Sequence, residues 1–199
     1  PKYHKEDLMG SLLDKIKLDM YKNGYGQQNK SRAWLFEKFQ NLKVSRNMLL
    51  KDQNRSRPHA LIGRLYFFFY DPKTKDKLPY YDRFPLVLPI EMYPDGFLGL
   101  NLHYLDPGMR LMLLDTLSTY KNNKKYDSTT YLKISYDIIS NASRMQLAQP
   151  CIKRYLFNHI ESRFLEIEAS EWDMACLLNV DSFAKAKNVR VWKESRSKF

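Results

Sequence analysis

Two carboxylates one residue apart, Glu166 and Glu168, would project from the same face of an extended strand. Glu161, Glu171 and Asp173 lie in the same stretch. A carboxylate pair of this kind can hold Mg²⁺ for phosphodiester hydrolysis. No Asp-plus-Lys pattern stands beside it to complete a nuclease site, so a solvated strand face followed by a helix start is the better reading. Histidine occurs at positions 4, 59, 103 and 159, and none falls at metal-ligand spacing with Cys or another His. His103, between Leu102 and Tyr104 at the end of an apolar run, could serve as an acid or base, but a satisfied or surface imidazole accounts for it better. There is no phosphate-binding glycine loop, dinucleotide glycine pattern or nucleophile elbow. The chain therefore reads as non-enzymatic, with no cofactor and no metal.

Charge is the stronger signal. Lys and Arg number 33 against 22 Asp and Glu, a formal net charge of +11. The excess is concentrated in two places. Residues 22–57 hold Lys22, Lys30, Arg32, Lys38, Lys43, Arg46, Lys51, Arg55 and Arg57, opposed only by Glu37 and Asp52. Residues 184–199 hold Lys185, Lys187, Arg190, Lys193, Arg196 and Lys198, opposed only by Glu194. Such clusters suit phosphate backbones, which bind cations through counterion release. Trp34, Trp192, Tyr80 and Tyr81 lie near Lys or Arg in sequence and could stack on unpaired bases, although rings in such numbers are mainly core and interface residues. These fifteen cations form the candidate DNA-binding set, for backbone contact rather than base reading. A basic surface can equally face acidic protein neighbours, and residues 52–58 can be read as a solvated linker.

The elements that would position these side chains make an α+β fold: a small, aromatic-rich antiparallel sheet or partial β-barrel flanked by N- and C-terminal helices. Leu8, Leu12, Ile16 and Met20 predict a helix over the first 20 residues, and Trp34, Leu35 and Phe39 a second over 31–42. Residues 65–70, Leu-Tyr-Phe-Phe-Phe-Tyr, have strong β propensity and no polar alternation, which predicts a strand buried on both faces. Further strands are predicted over 84–90, at an edge or irregular because of Pro85 and Pro89, and over 97–104 after the Pro94-Asp95-Gly96 turn. Asp106 then caps a helix with Pro107 at its first position. Beyond a basic insertion at 120–128 come a strand at 131–136, helices over 137–147 and 152–159, a strand at 163–169 and a short helix capped by Ser170. Residues 1–60 read as a basic helical extension, and 61–199 as the α+β core with a basic C-terminal tail. Two Cys suit a reducing compartment. No apolar run reaches the ~20 residues of a membrane span, and the amino end lacks the apolar stretch of a signal peptide, so a cytosolic protein with no membrane partner is expected.

Residues 66–73 (Tyr-Phe-Phe-Phe-Tyr-Asp-Pro-Lys), 78–86 (Leu-Pro-Tyr-Tyr-Asp-Arg-Phe-Pro-Leu) and 96–105 (Gly-Phe-Leu-Gly-Leu-Asn-Leu-His-Tyr-Leu) form a distinctive block. Together with Ser162-Arg163-Phe164, Glu171-Trp172, Phe183 and residues 191–196, it resembles the DNA end protector (head-completion) family of small virion proteins from T4-like, contractile-tailed phages. The resemblance implies a protein that sits on the ends of packaged double-stranded DNA, shields them from host exonuclease and closes the filled head. Its partners would be DNA ends and other proteins of the head, neck or tail. Its place would be the virion, after assembly in the host cytoplasm. No catalytic residues come with that family. The alternative is a structural neck, tail or baseplate component without DNA contact.

Overall fold

The computed structural model describes residues 53–118, 146–168, 171–180 and 182–198. The helices expected over 1–20 and 31–42, the insertion at 120–128 and the strand at 131–136 lie outside these residues, as does Ser170.

The described chain builds one six-stranded antiparallel sheet in the order β1-β7-β2-β4-β5-β6. Its strands are β1 (Ser56–Arg57), β2 (Leu65–Phe67), β4 (Leu86–Tyr93), β5 (Gly96–Asn101), β6 (Ile152–Leu156) and β7 (Phe164–Ile167). A two-stranded ribbon pairs β3 (Tyr81–Asp82) with β8 (Phe183–Ala184). Among the described residues three α-helices accompany the sheet: α1 (Pro107–Ser118), α2 (Trp172–Leu177) and α3 (Asn188–Arg196). The expected α+β class holds. Among the described residues no helix is long and apolar enough to cross a membrane.

The aromatic run at 65–70 sets the layering. Leu65 and Phe67 face the helices, in a core shared with Leu86, Leu100, Leu113, Ala175 and Val191. Tyr66, Phe68 and Tyr70 point the other way and pack with Val87, Phe97, Tyr155 and Phe164. Period-two alternation thus splits one apolar run between two cores. On the second face the rings meet edge to face, Phe68 with Tyr155 at 5.2 Å and with Phe164 at 5.1 Å between centroids. Past β2 the chain bends, and Tyr70 bridges Ile160 in the segment following β6. Glu161 N–H donates to the Phe69 carbonyl (2.9 Å) and Asp71 N–H to that of His159 (3.0 Å). The sheet therefore curls around its aromatic face without closing.

Several expectations change. Of the two alternatives for the proline-bearing strand, irregular holds and edge does not: β4, which keeps only Pro89, lies between β2 and β5, and its register shifts between Pro89 and Glu91. A bulge accommodates the missing donor. Residues 152–156 form a strand, with a 3-10 turn at Phe157–His159, rather than a helix. Ile152, Tyr155, Leu156 and His159 have helical spacing, but β5 offers a full ladder to this segment, from Gly96↔Leu156 to Leu100↔Ile152. Gly96 lets the two backbones meet, because a Cβ there would collide with the Tyr155 carbonyl. The strand expected over 97–104 ends at Asn101, and Leu102–Tyr104 is a 3-10 turn. The Asp106 cap is present, with Met109 N–H donating to Asp106 Oδ1 at 3.2 Å. The segment expected as a tail contains β8 and α3, and Val191 of α3 is fully buried.

Phe68 touches the rings of Tyr70, Phe97, Tyr155 and Phe164. Phe68→Ala is expected to lower stability by about 3–5 kcal/mol, read as a lower urea midpoint at unchanged denaturant slope.

Candidate nucleic-acid interface

A cavity of about 330 Å³ opens where the 70–78 turns, β3, the end of β5 and β6 converge. Tyr70, Tyr81, Tyr104 and Tyr155 line it together with Lys73, Lys153 and Arg154. Each wall has a local cause. The 72–78 turns are closed by Lys75 N–H to the Pro72 carbonyl (3.1 Å) and Lys77 N–H to that of Thr74 (3.0 Å). Lys185 holds them from β8, its ammonium donating to the carbonyls of Lys75 (2.6 Å), Asp76 (3.3 Å) and Leu78 (3.1 Å). That reach accompanies a left-handed backbone at Lys185, φ 67°. Tyr155 is fixed by the aromatic core, and Tyr70 accepts from Leu156 N–H through its hydroxyl (3.2 Å).

The floor is a buried polar knot. Asp82 Oδ2 lies 2.7 Å from His103 Nδ1 and accepts from Asn101 Nδ2 (3.1 Å), while Phe84 N–H donates to Oδ1 (3.1 Å). Burial alone would raise the Asp82 carboxyl, but the facing His103 and the hydrogen bonds from His103 and Asn101 outweigh it and hold the group below its ordinary 3.8. His103 is buried and anchors outward as well, its carbonyl accepting from Trp192 Nε1 (2.9 Å) on α3. It fits a structural imidazole.

The cations around the cavity differ in how they are used. Arg154 pairs with Asp95 and lies over the Tyr93 ring at 4.2 Å. Lys153 has its ammonium 4.1 Å from the Tyr104 ring centre and, among the described residues, no carboxylate partner. Burial, and secondarily the neighbouring Lys198, pull its pKa down to about 8. Lys73 is exposed at the rim.

The structure distributes the sequence-predicted cations unevenly. Lys22, Lys30, Arg32, Lys38, Lys43, Arg46 and Lys51 lie outside the described residues. Arg55 grips Glu171 with two hydrogen bonds, one of 2.8 Å and a shorter one to the other oxygen, and the Glu171 side chain is 0% exposed. Arg57 shares Glu166 with Arg64. Arg190 pairs with Glu194 along α3, and Arg196 with the cap residue Asp106 at 2.6 Å. Lys187, Lys193 and Lys198 are exposed, and no ion pair joins them to a carboxylate among the described residues. Glu166 is thus held by two guanidiniums, and among the described residues no group of three potential metal ligands occurs.

Sequence reasoning singled out Tyr81 but missed Lys73, Lys153, Tyr70, Tyr104 and Tyr155. The usable signal for Lys153 was its alternation with Tyr155 after Pro150, hidden by the helical spacing of the same stretch.

A curled antiparallel sheet bearing a cationic, tyrosine-walled cavity defines an α+β scaffold suited to an anionic, ring-containing ligand. The chain belongs to the family described as the phage T4 terminal DNA protecting protein, whose family model matches residues 2–195. Comparison with curated proteins and with solved structures gave no match.

Removing Arg55 would leave Glu171 charged and buried, so Arg55→Ala is expected to cost about 3–5 kcal/mol. Arg57→Ala, at a half-exposed pair, should cost no more than ~1 kcal/mol; urea titrations of both variants test the difference. For Asp82, a folded pKa below the unfolded one stabilises fully above about pH 4 and is lost as pH falls through the lower folded value. Asp82→Asn should therefore be less stable than the parent protein at neutral pH, with the gap narrowing in denaturation series carried below pH 4.

Proposed function

We propose that the protein binds and shields the ends of packaged double-stranded DNA in a phage virion, completing the head and neck, without catalysing a reaction. The observation that carries this reading is the family match over residues 2–195. The charge of +11 supports it physically, since an end-binder needs cationic surface and no base-reading element.

The arginines already tied to carboxylates, Arg55, Arg57, Arg190 and Arg196, are assigned a scaffolding role, and Lys185 the support of the 72–78 turns. Phosphate contacts fall to Lys187, Lys193 and Lys198, with Lys22, Lys30, Arg32, Lys38, Lys43, Arg46 and Lys51 from the N-terminal part. Other virion proteins of the head, neck or tail are the expected neighbours, met after assembly in the host cytoplasm. The internal pairing of four arginines also favours a second reading, a neck, tail or baseplate component whose cations bolt the fold and never touch DNA.

Binding to linear duplex DNA across a salt series separates the two. End binding predicts log affinity falling with log salt at a slope of about −0.9 for each phosphate neutralised, and protection of linear DNA from a processive exonuclease. A flat salt response with no protection would favour the second reading.

A further inference from the structure

We propose that the cavity between the 70–78 turns and β6 receives the terminal nucleotide of a DNA strand, with its terminal phosphate on Lys153 and Lys73. The inference rests on the end-binding reading above and assigns it a place.

Size sets the first constraint on what can enter. About 330 Å³ is at the lower end of small-ligand sites, enough for one nucleotide unit and far too small for a duplex. A chain can enter such a space only by its end. The walls supply the second. The half-buried Tyr81 and the buried Tyr70, Tyr104 and Tyr155 line the cavity, and tyrosine rings accept any base without reading its sequence.

Charge sets the third. Lys153 is a largely desolvated cation with no carboxylate partner among the described residues, and Lys198 lies near enough to disfavour its protonation. An anion in the cavity beside Lys153, with Lys73 at the rim, would offset that repulsion. A terminal phosphate monoester carries close to two negative charges near neutral pH, whereas an internal diester carries one. The site thereby favours an end over the interior of a strand. The Asp82 carboxylate on the floor repels the phosphate, which keeps it at the lysine-bearing mouth and leaves the ring-lined depth to the base.

The test uses the full chain and four duplexes of one sequence: 5′-phosphorylated, 3′-phosphorylated, unphosphorylated, and closed by hairpins at both ends. The parent protein should prefer one phosphorylated duplex over the hairpin-closed one by about tenfold or more, and the two phosphorylated duplexes identify the strand end. The matching deoxyadenosine monophosphate should shift tyrosine and Lys153 resonances. Lys153→Met, which keeps the aliphatic stem, and Lys73→Gln, at the exposed rim, should lose the preference while binding hairpin-closed DNA with an unchanged salt slope. Preference retained in both variants, or no mononucleotide binding by the parent protein, would overturn the cavity assignment. Mononucleotide binding without duplex binding would uphold the cavity and remove the end-protection reading instead.

Discussion

A strand buried on both faces has to be apolar at every position and must find two separate cores to bury itself in. Residues 65–70 impose that condition on this fold. Leu65 and Phe67 draw the helices onto one side of the sheet, and Tyr66, Phe68 and Tyr70 gather Phe97, Tyr155 and Phe164 on the other. Large rings are covered on the second side only if the sheet bends over them, and it does so through the Tyr70–Ile160 bridge. The same bend brings the 70–78 turns against β6 and so creates the cavity. The cavity is in this sense a by-product of how the aromatic face is covered.

The buried polar groups follow from the same curvature. Arg110 on α1 is wholly buried and donates to the carbonyls of Leu102, Leu105 and Cys176, while lying 5.4 Å from the Trp192 ring. Burial draws its pKa to about 10, so it remains charged at neutral pH. It joins the turn after β5 to α1, α2 and α3. Asp82, His103 and Asn101 make the corresponding knot under the cavity. Buried hydrogen bonds of this kind, three from Arg110 and three to Asp82, favour one arrangement of the elements around them.

The basic residues divide by side chain. Arginine, with its planar fork, is found mostly in pairs that tie distant segments together, as Arg55 ties residues 53–55 to the start of α2. Lys73, Lys153, Lys187, Lys193 and Lys198 keep ammonium groups without carboxylate partners among the described residues. A net charge counted from sequence merges these two populations. The second can meet a polyanion without breaking an internal ion pair.

Composition and local pattern alone determined the α+β class, the two-faced burial of 65–70, the turn at Pro94-Asp95-Gly96, the Asp106–Pro107 helix start and the strand near 164–167. Each depends on neighbours within a few residues, where alternation, turn chemistry and capping act. The resemblance to end-protecting phage proteins was also visible there, in the 66–105 block. What the tertiary structure decided was long-range: that 152–156 pairs with β5 as a strand, that a proline-bearing strand lies inside the sheet over a bulge, and which cations are already partnered. Arg55 and Glu171 are 116 residues apart, and Lys153 meets Tyr104 only because β6 lies along β5. Ion pairing and cavity formation depend on distances that folding sets and sequence spacing does not encode.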